Sequence, residues 1–225
     1  MVLFYHLTTH VEGDKDQELL GFLSDRVAFP TVLYVTPDGN LLHKHVGDRK
    51  VRSFDKEIHG YYQLRLARKD LAAGNKAAAI LILETELKLG LLNYAEANRK
   101  YLDLDADLLK KHPERAAEIR QELVCLEAKE VYFGIVKGKT SADRDKNRAK
   151  RAHAMLEAGR IPKDQNTWRF WKLLMLHAEQ SKSLKLFDRA SGEYLDLRRV
   201  KISAQERERI EAVRKKLDSG SSPPP

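Results

Sequence analysis

The sequence has very little cysteine, since Cys125 is the single thiol in 225 residues. One thiol cannot form an internal disulfide, so a disulfide-stabilised secreted fold and a Cys-x-x-Cys redox pair are both excluded. Long hydrophobic runs are missing as well, because stretches such as Ala77 to Leu83 fall far short of the roughly 20 residues that span a bilayer. The first residues, Met1 to His6, have no basic segment or small-residue cleavage site, so they are not typical of a signal peptide.

Motifs of the common catalytic and nucleotide-binding sites are also absent. The sequence contains no phosphate-binding loop, no Gly-x-Gly-x-x-Gly, no His-Glu-x-x-His and no Gly-x-Ser-x-Gly. We therefore predict no catalytic residue, no cofactor and no metal in this chain.

What the sequence does have is enough apolar matter for a core, together with an uneven charge. Apolar residues make up 42% and charged residues 33%, so the whole chain is not disordered, and its length fits one large domain or two small ones. Residues 1–60 hold seven Lys and Arg and nine Asp and Glu, a net charge of −2, which leaves +10 for the remainder of a chain whose total is +8. A basic region can attract nucleic acid or acidic partners, but the interspersed acidic residues favour a solvated helix surface.

The first 50 residues predict strands and a hairpin. Val2 to Thr8 is rich in β-branched and aromatic residues and predicts a strand, and Asp16 to Asp25 has the spacing of a short helix. The apolar run Thr31 to Val35 predicts a buried strand, and Leu41 to Val46 its hairpin partner. Between them, Pro37 to Asn40 is a strong turn signal, because proline pre-sets φ and glycine can adopt positive φ.

From Val51 onward the pattern predicts helices only. Glycine is expected to end helices at Gly74, Gly90 and Gly159, and Pro113 suits the first turn of a helix. The predicted helices cover residues 51–74, 76–89, 93–102, 105–112, 113–138, 141–159, 162–178 and 183–194, and a last one follows a capping box at residues 203–206. The short connections favour antiparallel hairpins that resemble helical repeats of the tetratricopeptide kind, without a clean period of about 34 residues.

One short constellation resembles a known family. Phe29 and Pro30 directly precede the predicted buried strand that starts at Thr31, and Gly47 follows its hairpin partner. A proline is tolerated where a strand begins, and a Phe-Pro bond can be cis at small cost. The order of strand, helix, Phe-Pro-Thr, hairpin, glycine and final helix resembles the second half of a thioredoxin-like domain. The resemblance implies that Phe29, Pro30 and Thr31 form the substrate-side wall of a binding site.

The resemblance also implies that part of the family's site is missing. The family's catalytic Cys-x-x-Cys lies before the strand that Val2 to Thr8 resembles, so the chain alone is predicted to be inactive as a disulfide oxidoreductase. Three explanations stay open: the true start lies upstream and Met1 is an internal methionine, or the half-domain is a remnant covered by the helical region, or two chains complete each other as a homodimer. We favour the first.

These observations combine into one prediction of fold and function. The predicted fold class is α+β, with a partial thioredoxin-like β-α-β-β-α unit over residues 1–72, an all-α helical-hairpin region over 73–218 and a disordered tail over 219–225. The predicted function is thiol–disulfide chemistry in a complete, thioredoxin-family form of the protein. The alternative is a non-enzymatic scaffold that binds a protein partner through its helical hairpins. The expected partner or substrate is a protein, neither nucleic acid nor a membrane is expected, and the chain as written is expected to be soluble and cytoplasmic, the compartment being undecided if the start lies upstream.

Four histidines, His6, His10, His43 and His45, are candidates for a metal site. In a strand, residues four apart are separated by roughly 13 Å, so the first two could share an ion only if the chain bends. We therefore interpret all four as surface histidines.

The segment around Trp168 combines aromatic and basic residues, as single-stranded nucleic-acid binders do. Trp168, Trp171, Leu174 and Met175 also fall on one helix face, which favours packing in a core over binding. Cys125 lies in an apolar stretch of a predicted helix, where a buried and unreactive thiol is expected.

Overall fold

A computed structural model describes residues 2–5, 31–35, 41–46, 51–198 and 201–220 of the chain, with side chains from 55–198 and 201–220. The chain divides into two compact units, Met1–Leu92 and Asn93–Pro225. The domain bounds proposed from the sequence stay predictions.

The first unit contains a small antiparallel sheet. Strands β1 (Val2–Tyr5), β2 (Thr31–Val35) and β3 (Leu41–Val46) lie in the order β1-β2-β3, and each neighbouring pair is antiparallel. β1 and β2 form where β-branched and aromatic residues are concentrated, since these residues suit a pleated backbone, whereas β3 has one β-branched residue, Val46. The helix expected over 16–25 and the turn expected over 37–40 lie outside the described residues.

Helices make up the rest of the described chain, and they overturn the predicted α+β class. Between Val51 and Gly220, every described regular element is a helix. The three strands have only 4, 5 and 6 residues, whereas helices fill most of the described range from residue 51 to residue 220. The described part of the chain therefore supports an all-α class, and the prediction of an α+β fold built on a thioredoxin-like unit is wrong.

In the first unit, α1 (Val51–Ala72) and α2 (Ala78–Lys88) form a helical hairpin. Gly74 follows α1 with φ +92°, a backbone conformation that favours glycine. Four apolar residues of the hairpin are almost fully buried: Leu64, Ala67, Ile80 and Leu83. Arg68 Nη2 donates to Glu86 Oε1 at 2.9 Å across the hairpin, and the Glu86 side chain is 4% exposed. The hairpin is thus held by apolar burial and by an ion pair whose carboxylate is buried while its guanidinium is 57% exposed.

The second unit is built of helices whose bounds agree closely with the predictions. They are α3 (Tyr94–Leu102), α4 (Ala106–Lys111), α5 (Pro113–Phe133), α6 (Ser141–Glu157), α7 (Thr167–Gln180), α8 (Leu184–Arg198) and α9 (Ala204–Gly220). Asn93 and Thr140 begin their helices with capping boxes, and Pro113 occupies the first turn of α5 as predicted. Three bounds differ by four or five residues: α5 ends at Phe133, α7 begins at Thr167 and α8 continues to Arg198. Within the described ranges, no helix has both the length and the apolar composition needed to cross a membrane.

The core of the second unit lies against α7. Phe170, Trp171, Leu174 and Ala178 form one face of this helix, and each is 2% exposed or less. Residues of α5, α6, α8 and α9 complete the same hydrophobic cluster. The predicted packing of the α7 apolar stripe in a core is therefore confirmed, although Trp168 lies at the edge of the cluster and is only partly buried.

A charged contact ties the connection after α6 to α5. Arg160 Nη1 donates to both carboxylate oxygens of Glu127, at 2.8 and 2.6 Å, and lies 3.4 Å from the Tyr94 hydroxyl. One turn further along α5, Glu130 Oε1 accepts the backbone N–H of Tyr94 at 2.8 Å. Burial raises the pKa of Glu127, and the Arg160 guanidinium opposes that shift. These contacts fix the start of α3 and the end of α6 on α5.

Candidate functional site

The first residues that the sequence singles out lie at the edge of the described chain. Phe29 and Pro30 lie outside the described residues, whereas Thr31 begins β2 opposite Val46 of β3. The substrate-binding role of Phe29, Pro30 and Thr31 stays a prediction.

The structure gives no metal centre in the part of the chain that it describes. His6 and His10 lie outside that part, and His43 and His45 lie on β3, where no side chain is described. Within the described residues, no group of three or more His, Cys, Asp or Glu side chains could hold a metal ion.

Cys125 lies on α5 with 4% of its surface exposed, and it forms no disulfide. Its sulfur accepts a long hydrogen bond from Gln121 Nε2 at 3.6 Å, from one turn earlier on the same helix. The prediction of a buried thiol is confirmed.

Among the described residues, the second unit has a cleft of about 550 Å³. Helices α7 and α9 supply most of its lining, and α5, α6 and α8 supply the rest. Its apolar lining comes from Leu173, Met175, Leu176, Phe187, Ile210 and Val213. A cleft of this size, with apolar and charged side chains together in its lining, is typical of a binding site.

The cleft exists because α7 is apolar on more than one face. Phe170, Leu174 and Ala178 follow the helical repeat into the core, whereas Leu173 and Leu176 lie about one residue off that stripe and line the cleft. A helix that is apolar beyond its core-facing stripe must either pack against another element or remain partly open to solvent. Here α9 covers it only in part, since Leu217 is the one residue of α9 that is fully buried among the described side chains.

Arginine and aromatic side chains form a continuous cluster at one end of the cleft. The Arg169 guanidinium lies over the rings of Phe133 and Trp168, at 5.0 and 4.5 Å from their centroids. The Arg198 guanidinium also lies over Trp168, at 4.7 Å. These distances fall within the range of cation–π attraction, so the planar groups hold one another in place. Phe133 is nevertheless 61% exposed and therefore extends the aromatic surface beyond the cleft.

A second polar contact joins three helices beside the cleft. The Tyr194 hydroxyl of α8 donates to Glu206 Oε1 of α9 at 2.5 Å, and Lys172 Nζ of α7 lies 3.8 Å from the same oxygen. Burial and then the hydrogen bond to Glu206 raise the pKa of Tyr194 to about 12, because both disfavour the phenolate. The sequence predicts that Glu206 closes a capping box with Ser203. Ser203 Oγ does accept the Glu206 backbone N–H at 3.2 Å, but the Glu206 carboxylate is directed to Tyr194.

The charged side chains of the cleft carry a partial excess of positive charge. Arg148 Nη1 pairs with Asp145 Oδ1 at 3.1 Å, which leaves that pair neutral overall. Arg169 and Arg209 line the cleft, and neither has a carboxylate partner among the described residues. Glu179 is the remaining carboxylate of the lining. The surface offered to a ligand therefore holds more unpaired positive than negative charge.

Several buried polar atoms of the cleft lack a hydrogen-bond partner in the described part of the molecule. They are the Tyr132 hydroxyl and the Nε atoms of Arg148 and Arg169. Burial, and next the nearby Asp164 carboxylate, raise the pKa of Tyr132, so its hydroxyl keeps its proton and can donate.

Comparison with known proteins gives no relative: no protein family, no curated protein and no solved structure matches the chain. The resemblance to the thioredoxin-like family is therefore wrong as an assignment. That resemblance depended on the short motif around Pro30, whereas the buried core of the described residues is helical. Helical repeats are compatible with the hairpins of the structure, but the repeat assignment stays a prediction.

The sequence indicates the residues of α7 that line the cleft but not those of α5 and α9. It singled out the aromatic and basic segment around Trp168, which the structure places at the cleft. It did not single out Arg209, Ile210 or Val213 of α9, or Tyr132 of α5, because these residues approach α7 only in the folded chain. A usable signal is the pair Ile210 and Val213, which are three apart on an otherwise charged helix.

Proposed function

We propose that this protein is a non-enzymatic scaffold that binds a protein partner through its helical hairpins, with the cleft between α7 and α9 as the binding site. The observation that supports it best is the combination of an apolar cleft of about 550 Å³ with an adjoining arginine–aromatic cluster. Tryptophan, tyrosine and arginine are the residues that most often dominate the binding energy of protein interfaces.

One exposed aromatic residue beside the cleft supports a protein partner over a small molecule. Phe133, the last residue of α5, is 61% exposed, and its ring lies against the Arg169 guanidinium of the cleft lining. A single exposed apolar residue costs little, but next to a cleft it enlarges the surface that a partner can contact. A small molecule would fill the cleft and leave this surface uncovered, whereas a peptide or folded partner could cover both.

Site-specific photo-cross-linking tests the proposal. A benzoyl-phenylalanine in place of Leu176 puts the reactive group in the cleft, and the same residue in place of Arg120, exposed on α5, serves as the control. In an extract of the source organism, we expect a cross-linked protein from the cleft position that the control position does not give. That protein, once purified, should bind the unmodified chain in calorimetry.

A variant of the cleft then decides whether the partner uses it. Ile210→Arg places a charge in the apolar lining, and we expect binding to weaken by roughly tenfold or more, since an interface anchor contributes at least about 1.4 kcal/mol. Circular dichroism checks that the variant keeps its helices. Equal cross-linking at both positions, or undiminished binding by a folded Ile210→Arg variant, would contradict the proposal.

A further inference from the structure

The cleft presents an apolar interior next to guanidinium groups that no described carboxylate neutralises. Leu173, Leu176 and Ile210 are partly buried and line the interior. Arg169 and Arg209 lie along the same lining without an ion-pair partner among the described residues. A ligand that matches both features needs apolar groups and acidic groups on the one face that contacts the cleft.

The Arg169 guanidinium is held in place before any ligand binds. It lies over the rings of Phe133 and Trp168, which restrict its rotamers. Its Nε atom is buried, which leaves the two terminal Nη groups as donors for a ligand. A planar guanidinium bonds a carboxylate through two parallel N–H groups, and less conformational freedom is lost when the side chain is fixed beforehand.

The carboxylates of the lining do not cancel this preference. Asp145 is paired with Arg148 at 3.1 Å, and Glu206 accepts from the Tyr194 hydroxyl at 2.5 Å. Lys172 Nζ, which also lines the cleft, lies 3.8 Å from Glu206 Oε1 and offsets its charge, so Glu179 alone remains as a carboxylate without an ion-pair partner among the described lining residues. An acidic ligand thus meets more unpaired positive than negative charge.

We infer that the partner binds through an acidic amphipathic peptide segment, whose apolar side chains enter the cleft and whose carboxylates contact Arg169 and Arg209. The inference rests on the proposed function and adds the chemistry of the partner. Charge complementarity around an apolar groove is one of the recurring ways in which proteins recognise helical segments.

Single-stranded nucleic acid fits the same surface less well. Its bases would have to stack on Trp168, but two guanidinium groups already lie over that ring, at 4.5 and 4.7 Å from its centroid. The apolar interior of the cleft would have no role in such a complex.

Selection from a random peptide display library against the full chain tests the inference. We expect the selected peptides to be enriched in Asp and Glu together with Leu, Phe or Trp at helical spacing. Synthetic peptides from the selection should bind roughly tenfold or more weakly to Arg169→Gln than to the unchanged chain, because the charge-assisted hydrogen bonds are lost. Arg120→Gln, on an exposed position of α5, should leave affinity unchanged.

Two further measurements separate charge, geometry and folding. Arg169→Lys keeps the positive charge but loses the planar guanidinium. Its affinity for the peptides should therefore lie between that of the unchanged chain and that of Arg169→Gln. Circular dichroism of each variant confirms that the helices are kept. Two other occupants of the cleft are tested as well. The affinity of the chain for oligo(dT) is compared with its affinity for the peptides, and analytical ultracentrifugation shows whether the chain binds a second copy of itself.

The outcomes distinguish the inference from the function on which it rests. Neutral or basic selected peptides that still require Ile210 overturn the acidic-ligand inference and leave the scaffold proposal standing. A library that yields no binders counts against both. Tighter binding of oligo(dT) than of any peptide, or self-association that the Ile210→Arg change abolishes, assigns the cleft to another occupant and overturns the inference.

Discussion

Replacing Tyr194 with phenylalanine tests how much the contact among α7, α8 and α9 contributes to stability. The hydroxyl of Tyr194, a residue 1% exposed, donates to Glu206 Oε1 at 2.5 Å. A hydrogen bond to a charged group contributes about 1.5–3 kcal/mol. The Glu206 side chain is 30% exposed and can regain water in the variant. We therefore expect the free energy of unfolding to fall by an amount near the lower limit, about 1.5 kcal/mol.

Urea denaturation followed by circular dichroism measures this loss, and a double-mutant cycle assigns it to the pair. With Tyr194→Phe, Glu206→Gln and the double variant, we expect a coupling energy of about 1 kcal/mol, as for other residues in direct contact. Tyr62→Phe is the matched control, since Tyr62 is 60% exposed on α1, and it should change stability by less than about 0.5 kcal/mol. A coupling energy below about 0.3 kcal/mol would refute the reasoning.

The same variant carries a pH signature. The pKa of Tyr194 is raised to about 12 from the ordinary 10.0, because burial and then the Glu206 carboxylate disfavour the phenolate. The fold thus gains stability from the neutral phenol that is fully present below about pH 10 and is lost as the pH rises through about 12. The stability difference between the unchanged chain and Tyr194→Phe should therefore shrink over this interval. A difference that stays constant would show that the phenol does not titrate as a buried group.

Three other perturbations have expected outcomes. Phe170→Ala removes a fully buried ring from the core of the second unit and should cost about 3–5 kcal/mol in urea denaturation. Burial, and next the stacked His153 ring, lower the pKa of His177 below 6.5, so its stabilising contribution is complete above about pH 6.5 and lost as the pH falls through the folded pKa. Thermal melting should accordingly show a larger loss between about pH 7 and pH 5 for the unchanged chain than for His177→Gln. Gly134→Ala would place a Cβ 2.3 Å from the Glu130 carbonyl oxygen, so it should destabilise by about 1–3 kcal/mol and speed amide exchange over residues 134–140.

The helices could be predicted from the sequence because their signals are local. Asn93 carries its capping partner three residues ahead, and Pro113 marks the first turn of α5. Helix ends were less certain where a non-local contact decides them. The end of α5 was expected near Gly138, but the helix stops at Phe133, where Gly134 takes an extended backbone and its carbonyl accepts from Arg148 Nη2 of α6 at 3.4 Å.

The start of α7 illustrates the same limit. The helix was expected to start at Pro162, yet it begins at Thr167. The Thr167 hydroxyl donates to the carbonyls of Asp164 and Pro162, at 2.7 and 3.1 Å, and accepts the backbone N–H of Asp164 at 2.9 Å. A side chain that satisfies these backbone groups stabilises a turn in place of another turn of helix.

The fold class was misjudged because a short motif outweighed the longer pattern. The segment around Pro30 fitted a known order of elements, whereas the periodicity from Val51 onward already indicated a helical chain.

The cleft could be predicted only in part, because its lining comes from helices that are distant in sequence. Trp168 and Arg169 are neighbours in sequence, but Glu206 and Ile210 reach them only through the packing of α9.

The use of Glu206 has a consequence for how fast and how tightly a partner binds. Its carboxylate reaches Tyr194 on one neighbouring helix and Lys172 on another, so the separation of α7 and α9 is set within the free protein. A ligand therefore does not have to bring α7 and α9 together. The conformational entropy that such an ordering step would cost on binding is already lost when the protein folds. Shortening that side chain by one methylene, as in Glu206→Asp, should leave the helices folded and lower affinity mainly through faster dissociation.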